Sequence, residues 1–90
     1  MYQQLFESGK IVATPGALSL ADKGVNLLSY LAKHLSGDWG ELGEEDKKEN
    51  QFSLKNGFRI LSAYNTRLGK LWIITESDRS ATTFLLPEEY

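Results

Sequence analysis

The sequence predicts an α+β fold in which two to three N-terminal helices pack on one face of a three- or four-stranded antiparallel sheet, built mainly by a C-terminal meander. The length of 90 residues, 41% of them hydrophobic, suits a single domain over residues 1–90 with one core. Apolar residues recur at helical spacing in the first half. β-Branched and aromatic residues gather between turn signals in the last third.

The first half of the chain carries two clear helix starts. Thr14 is suited to cap a helix and Pro15 to its first position, which predicts a helix over residues 15–23. Asn26 can cap a second helix that ends near Ser36. Its apolar positions, at helical spacing, are Leu27, Leu28, Leu31 and Leu35. A short β-prone run before Thr14 could add an edge strand.

A loop and a third helix follow. Residues 37–40 contain two glycines and an aspartate, which favour a loop, and Trp39 is expected to anchor that loop to the core. Residues 44–56 favour helix, with acidic residues at the start, where the helix dipole favours negative charge, and Gly57 as a stop signal.

The last third reads as three strands. Residues 67–70 form a turn, residues 77–81 form a connection, and Pro87 ends the last strand. The predicted strands span residues 58–65, 71–75 and 82–86.

Composition excludes several classes of function. The chain has no cysteine, so disulfides, thiolate zinc sites, iron-sulfur clusters and a cysteine nucleophile are ruled out. A net charge of −2 supplies no global positive field, so nucleic-acid binding is not expected. The sequence has no long apolar run, no basic leader segment and no glycine-rich phosphate loop. We therefore expect a cytoplasmic protein without membrane span, cofactor or metal.

The connection between the last two strands concentrates polar chemistry. Arg79 could clamp a phosphate or carboxylate while Glu76 acts as a base, but Asp78 and Ser80 are also the residues that close a tight turn. Structural or partner-binding use is the preferred interpretation. The candidate ligand- or partner-binding residues are Asp38, Trp39, Tyr64, Trp72, Glu76, Asp78, Arg79, Ser80 and Thr82.

His34 is the only histidine, and it lies at the predicted end of the second helix. The helix dipole there would raise its pKa and suit it to act as a general acid. The alternative is a structural side chain that satisfies free carbonyls or packs over Trp39. Tyr64 and Trp72, on neighbouring strands, suggest a cross-strand pair, a stacking platform or core packing, of which packing is preferred.

Several segments together resemble a family of small bacterial proteins found on plasmids, prophages and other mobile elements. The resemblance covers nearly the whole chain and lies in residues 14–18, His34 with residues 37–40, residues 61–64, residues 72–80, Thr82, Thr83 and residues 85–87. Members are uncharacterised, and some are labelled a subunit of a type I restriction system. Ninety residues are too few for a methyltransferase or specificity subunit. The resemblance implies a genomic setting and no particular chemistry.

These observations favour a non-enzymatic accessory or interaction protein, as a monomer or small homo-oligomer with a protein partner. The alternative is a metal-independent ribonuclease of toxin type, with His34 as acid, Glu76 as base and Arg79 binding phosphate. That alternative requires the three side chains to converge on one accessible surface. A transcriptional regulator is disfavoured because the helix before the Trp39 loop lacks a basic recognition face and the candidate DNA-facing residues are acidic or neutral.

Overall fold

The structure, a computed structural model, describes residues 3–90. Met1 and Tyr2 lie outside the described residues. The helices are α1 (Pro15–Asp22), α2 (Leu27–Leu35) and α3 (Glu44–Asn56), and the strands are β1 (Lys10–Ala13), β2 (Ile60–Thr66), β3 (Gly69–Thr75) and β4 (Ala81–Leu85). A short 3-10 turn over Pro87–Glu89 follows. The predicted α+β fold is confirmed.

The sheet has the order β1-β4-β3-β2. β2, β3 and β4 form the expected antiparallel meander, but β1 pairs with β4 in parallel, so the expectation of a wholly antiparallel sheet is wrong at this edge. Parallel neighbours need a long crossover, and here the three helices and the β2–β3 hairpin lie between the two strands in sequence. The backbone N–H of Thr14 extends this pairing to the carbonyl of Phe84, at 3.0 Å.

The helix signals are confirmed atom by atom. Thr14 Oγ1 accepts from the N–H of Ala17 at 3.2 Å, and Asn26 Oδ1 accepts from the N–H of Ser29 at 3.2 Å. Gly57, at φ 73°, ends α3 in the left-handed conformation.

Strand alternation gives the sheet two faces. The helical face carries Ser62, Tyr64, Leu71, Ile73, Thr75, Thr82 and Phe84, in register across β2, β3 and β4. The apolar members of this face pack against Ala17 and Leu20 of α1 and against Val25. Full burial of a large apolar side chain contributes about 1.5–3 kcal/mol, so this cluster is the main source of stability.

The opposite face, called here the second face, includes the half-buried Trp72 and the buried Ile74. Tyr90 packs edge-on to Trp72, with 5.7 Å between ring centroids, and its hydroxyl accepts from Nη1 of Arg59 at 2.8 Å. The segment after β4 therefore docks on the domain. Its Glu89 accepts from Thr14 Oγ1 at 2.5 Å and from the N–H of Gly16 at 2.9 Å, and these hydrogen bonds, the one from Thr14 first, lower the pKa of Glu89.

The outer edge of β2 is closed by polar contacts. The Asn50 side chain of α3 donates to the carbonyl of Leu61 at 2.7 Å and accepts from its N–H at 3.2 Å. Both backbone groups of Ala63 bond to the preceding loop, through the carbonyl of Trp39 and the N–H of Glu41. An edge paired in this way cannot template another strand.

None of the helices within residues 3–90 combines the length and the apolar character that a membrane crossing requires.

Candidate functional site

His34 is the centre of a buried chain of hydrogen bonds on the helical face. Its Nδ1 lies 2.5 Å from Ser62 Oγ and its Nε2 lies 2.9 Å from Thr75 Oγ1. Thr75 Oγ1 is 2.7 Å from Thr82 Oγ1, which donates to the carbonyl of Ser8 at 2.7 Å. The four side chains that form this series of hydrogen bonds are fully buried.

The last hydrogen bond sets the direction of all the others. Thr82 has one hydroxyl proton and gives it to a carbonyl, so it can only accept from Thr75. Thr75 then accepts from Nε2 of His34, which must carry a proton. Ser62 donates to the bare Nδ1 of the ring. The network therefore requires neutral His34 in the Nε2–H tautomer.

The electrostatics of His34 differ from the sequence expectation. Burial, and then the charge of Arg79, lowers the pKa of His34 to about 3. The expected rise from the helix dipole is wrong because desolvation of the imidazolium outweighs it. With both ring nitrogens occupied and no exposed surface, His34 is placed as a structural group.

Arg79 lies close to this buried chain and is held by backbone carbonyls. Its Nη1 donates to Phe58, Glu76 and Ser77 at 2.7, 3.0 and 3.1 Å, and its Nη2 donates to Ser53 at 3.1 Å. These bonds hold both terminal nitrogens of the guanidinium on backbone carbonyls of the fold.

The ring of Phe6 contacts both Arg79 and His34. Its centroid is 5.6 Å from the guanidinium carbon and 5.3 Å from the His34 centroid, with an edge-on arrangement towards the imidazole. Phe6 therefore contacts both the guanidinium of Arg79 and the imidazole of His34.

Glu76 does not join His34. It follows Thr75, so strand alternation turns its side chain away from the helical face, and it lies 3.9 Å from Nη2 of Arg59. The convergence that the ribonuclease hypothesis requires is therefore not present among His34, Glu76 and Arg79, and this geometry gives that hypothesis no support.

Asp78 and Ser80 act in the turn between β3 and β4. Asp78 Oδ1 accepts from the N–H of Ser80 at 3.0 Å, and the hydrogen bonds from Ser80 lower the pKa of Asp78. The N–H of Arg79 closes the turn on the carbonyl of Glu76 at 2.9 Å. Turn chemistry therefore accounts for both side chains, although both stay exposed.

Two of the candidate binding residues lie in the interior. Tyr64 and Thr82 are on the helical face, with 2% and 0% of their surfaces exposed. Trp72 is half-buried on the second face, so the possible cross-strand pair of Tyr64 and Trp72 is wrong. Tyr64 lies opposite Leu71, whereas Trp72 lies opposite Ala63. Tyr64 instead packs on Tyr30, with 5.1 Å between centroids.

Asp38 and Trp39 lie in the loop between α2 and α3. The carbonyl of Asp38 accepts from the Tyr64 hydroxyl at 2.6 Å, and burial of that hydroxyl raises the pKa of Tyr64. The Asp38 side chain is exposed, whereas Trp39 is only 4% exposed, which confirms that it anchors the loop.

An exposed aromatic pair was missed in the sequence. Phe52 and Phe58 stack with 5.7 Å between centroids and an interplanar angle of 7°, yet 56% and 53% of their surfaces remain exposed. Gly57 reverses the chain between them, and the N–H groups of Gly57 and Phe58 both donate to the carbonyl of Ser53. The signal available in the sequence was an aromatic residue on each side of a helix-ending glycine.

The hydroxyl residues that bond to His34 and to one another could also have been noticed in the sequence. Ser62, Thr75 and Thr82 occupy positions that alternate with apolar residues on the core side of their strands, where a hydroxyl needs a partner. Within residues 3–90, the structure brings no three metal-ligating side chains together. Comparisons with models of protein families, with curated proteins and with solved structures found no match to this chain.

Proposed function

We propose that this chain is a non-enzymatic accessory protein that binds a protein partner through the hairpin-end surface, defined as Phe52, Phe58, Arg59, Glu76 and Asp78. The single observation that carries the proposal is the stacked phenyl pair, which is more than half exposed although the chain has a complete core. A cytoplasmic location, expected from the absence of cysteine, and a setting on mobile elements, expected from the family resemblance, are part of the proposal.

The phenyl pair is suited to binding because it is already ordered. Arg79 ties the carbonyls of Ser53 and Phe58 to the β3–β4 turn, so both rings are held beside the hairpin. A partner that covers them loses little conformational entropy on this side, which favours affinity. Aromatic side chains dominate the energy of many protein interfaces.

The charged residues around the pair give the surface a polar rim. Arg59 and Glu76 face each other at 3.9 Å and remain about half exposed, at 50% and 45%, so both can exchange this contact for one with a partner. Asp78 adds an exposed carboxylate at the turn. A rim of this kind contributes mainly to orientation and partner choice.

The test is affinity capture of the chain from its host in three forms. We expect a stoichiometric protein partner with the natural chain, loss of that partner with Phe52→Ser plus Phe58→Ser, and retention with Leu28→Ser. Leu28 is the matched control, since it is an exposed apolar residue, at 70%, on a different helix. Urea unfolding of each variant verifies that it is folded.

Equal recovery of the partner by both variants would contradict the hairpin-end surface. Co-purification of cleaved RNA with the natural chain, in place of a protein, would favour the ribonuclease alternative.

A further inference from the structure

The two edges of the sheet differ. The outer edge of β2 is bonded to Asn50 and to the α2–α3 loop, whereas β1, at the other end of the sheet, has β4 as its only strand neighbour within residues 3–90. Two apolar side chains of β1, Ile11 and Val12, are 43% and 39% exposed. An exposed apolar edge strand is a template for pairing with a further strand.

The pairing with β4 fixes which backbone groups of β1 are free. The N–H groups of Lys10 and Thr14 donate to carbonyls within residues 80–84, at 2.9 and 3.0 Å. In a parallel pair, alternate residues direct both backbone groups to the neighbouring strand, and here they are the residues in step with Lys10. The N–H and C=O groups of Ile11 and Ala13 therefore point out of the sheet. No backbone partner for them lies within residues 3–90.

These free groups are complementary to those of a second copy of the chain. Two β1 strands can run antiparallel with Val12 opposite Val12 of the second copy. Ile11 of each copy then lies opposite Ala13 of the other, and each such pair exchanges two hydrogen bonds. A shift by two residues in one direction places Ile11 opposite Pro15, which has no N–H. A shift in the other direction places Ala13 opposite Gly9, whose φ of 63° is not extended.

The charges at the ends of β1 favour the same register. Lys10 lies opposite Thr14 of the second copy, on the face that both share with Val12. Oγ1 of Thr14 donates to the carboxylate of Glu89 at 2.5 Å, and Glu89 is exposed. The ammonium group of Lys10 therefore meets a carboxylate of the second copy, and two-fold symmetry forms this contact twice. Lys10 is the only charged residue within residues 10–14, so the paired strands oppose no like charges.

The helix beside β1 leaves room for this pairing. α1 packs on the helical face and contacts both β1 and β4, so it lies over the space between them. Because neighbouring strands are about 4.8 Å apart, α1 and its symmetry mate would lie about 10 Å apart. Packed helices have this spacing, so the two copies of α1 meet without a steric conflict.

We propose that this chain forms a two-fold symmetric homodimer through β1, in which two four-stranded sheets join into one continuous sheet. Backbone hydrogen bonds of Ile11 and Ala13, the contact between the two Val12 side chains and the two pairs of Lys10 with Glu89 hold it together. An interface of this size is small, so the dimer forms reversibly at micromolar concentrations. It uses no residue of the hairpin-end surface and does not depend on the proposed function.

Single cysteine variants report the register directly, because the natural chain has no cysteine. In the dimer the two Cα atoms of position 12 lie about 4.5 Å apart, within reach of a disulfide, whereas those of position 11 lie about 8 Å apart. Val12→Cys is therefore expected to form a disulfide-linked dimer under mild oxidation. Ile11→Cys is the matched control, since Ile11 has nearly the same exposure, and should form at least about tenfold less of it.

Sedimentation of the chain over a range of concentrations measures the dimer itself. Between about 10 μM and about 1 mM, the natural chain is expected to pass from monomer to dimer. Lys10→Glu places carboxylates together and is expected to raise the dissociation constant about tenfold. Lys70→Glu, at an exposed lysine of β3, makes the same change of net charge and leaves the dissociation constant unchanged. Urea unfolding verifies that each variant is folded.

Three results would each overturn the homodimer: a chain that stays monomeric up to about 1 mM, equal cross-linking at positions 11 and 12, or equal effects of the two lysine variants. A monomeric chain in which a short extended peptide slows hydrogen exchange at the amides of Ile11 and Ala13 would assign this edge to another protein instead. None of these outcomes bears on partner capture through Phe52 and Phe58.

Discussion

At the scale of single residues, the buried chain through His34 shows how a polar core can be fully specified. Each hydroxyl has one proton and one acceptor for it. Ser62 donates to the imidazole of His34, the imidazole donates to Thr75, and the series ends at the carbonyl of Ser8. Buried hydrogen bonds of this kind cost little when complete and much when one member is missing. His34 is therefore placed to enforce a single arrangement of α2 on the sheet.

The lowered pKa of His34 predicts a specific pH dependence of stability. His34 has a pKa of 6.5 in the unfolded chain and of about 3 in the folded chain, so below pH 6.5 the unfolded chain binds a proton that the folded chain does not. The free energy of unfolding is therefore complete above pH 6.5 and falls as the pH drops through this window, by about 1 kcal/mol between pH 7 and pH 5.5. Urea unfolding at the two pH values measures it.

His34→Gln is the matched control for this pH dependence. Glutamine offers one donor and one acceptor but does not titrate, so the variant is expected to lose the difference between pH 7 and pH 5.5. Since the chain has one histidine, its ring signals report the protonation directly. An unchanged difference in His34→Gln, or an imidazole that titrates near pH 6.5 in the folded chain, would contradict the assignment.

Some of these residue-scale contacts could be predicted from the sequence. Helix caps such as Thr14 and Asn26 are local signals and were predicted, because the atoms that meet lie three residues apart. The partners of His34 lie 28 and 41 residues away, so periodicity could place each hydroxyl on a core face but could not say which residue meets it.

At the scale of elements, local sequence signals predicted the order of the helices and strands but not the pairing at the edges of the sheet. The predicted and observed bounds of α3 agree, because acidic residues mark its start and Gly57 its end. The parallel pairing of β1 with β4 was not predictable from such signals, since it joins residues about 70 positions apart. The closure of the β2 edge by Asn50 is likewise a long-range contact of a residue that looks like an ordinary polar helix position.

Two glycines with the same φ allow the cost of a left-handed backbone to be distinguished from the cost of a steric clash. Gly40 and Gly57 both have φ 73°, but a Cβ on Gly40 would lie 2.1 Å from the carbonyl oxygen of Ala63, whereas one on Gly57 would meet nothing within 4 Å. Gly57→Ala is expected to cost about 1 kcal/mol through the left-handed conformation alone. Gly40→Ala should cost at least about 2 kcal/mol more, because it also forces the loop off the β2 edge.

Urea unfolding of the two glycine variants measures this difference. Hydrogen exchange at the amide of Ala63, which bonds to the carbonyl of Trp39, is expected to accelerate in Gly40→Ala and not in Gly57→Ala. Equal losses of stability would mean that the loop can move away without breaking the closed edge.

At the scale of the whole molecule, the segment before β1 ties separate parts of the fold together. Leu5 donates its N–H to the carbonyl of Leu35 at the end of α2, and the carbonyl of Ser8 accepts from Thr82 in β4. Between these two contacts, Phe6 packs on His34 and lies beneath Arg79 of the β3–β4 turn. One short segment thereby connects a helix end, the buried polar chain and the base of the hairpin-end surface.

This arrangement predicts that Phe6→Ala acts on distant elements together. Loss of the ring removes half-buried apolar surface and admits water to the imidazole, so we expect a loss of about 2 kcal/mol in the free energy of unfolding and a rise in the pKa of His34 from about 3 towards 6.5. Leu5→Ala is the matched control, since Leu5 is 47% exposed and its contact with Leu35 uses only the backbone. It should change both quantities little. Urea unfolding measures the first quantity, and the titration of the His34 ring signals measures the second. A variant Phe6→Ala that is less stable but keeps the pKa of His34 at about 3 would contradict this prediction. In that case α2 and the sheet alone exclude water from the imidazole, and the segment before β1 adds stability without affecting the hydrogen bonds of His34.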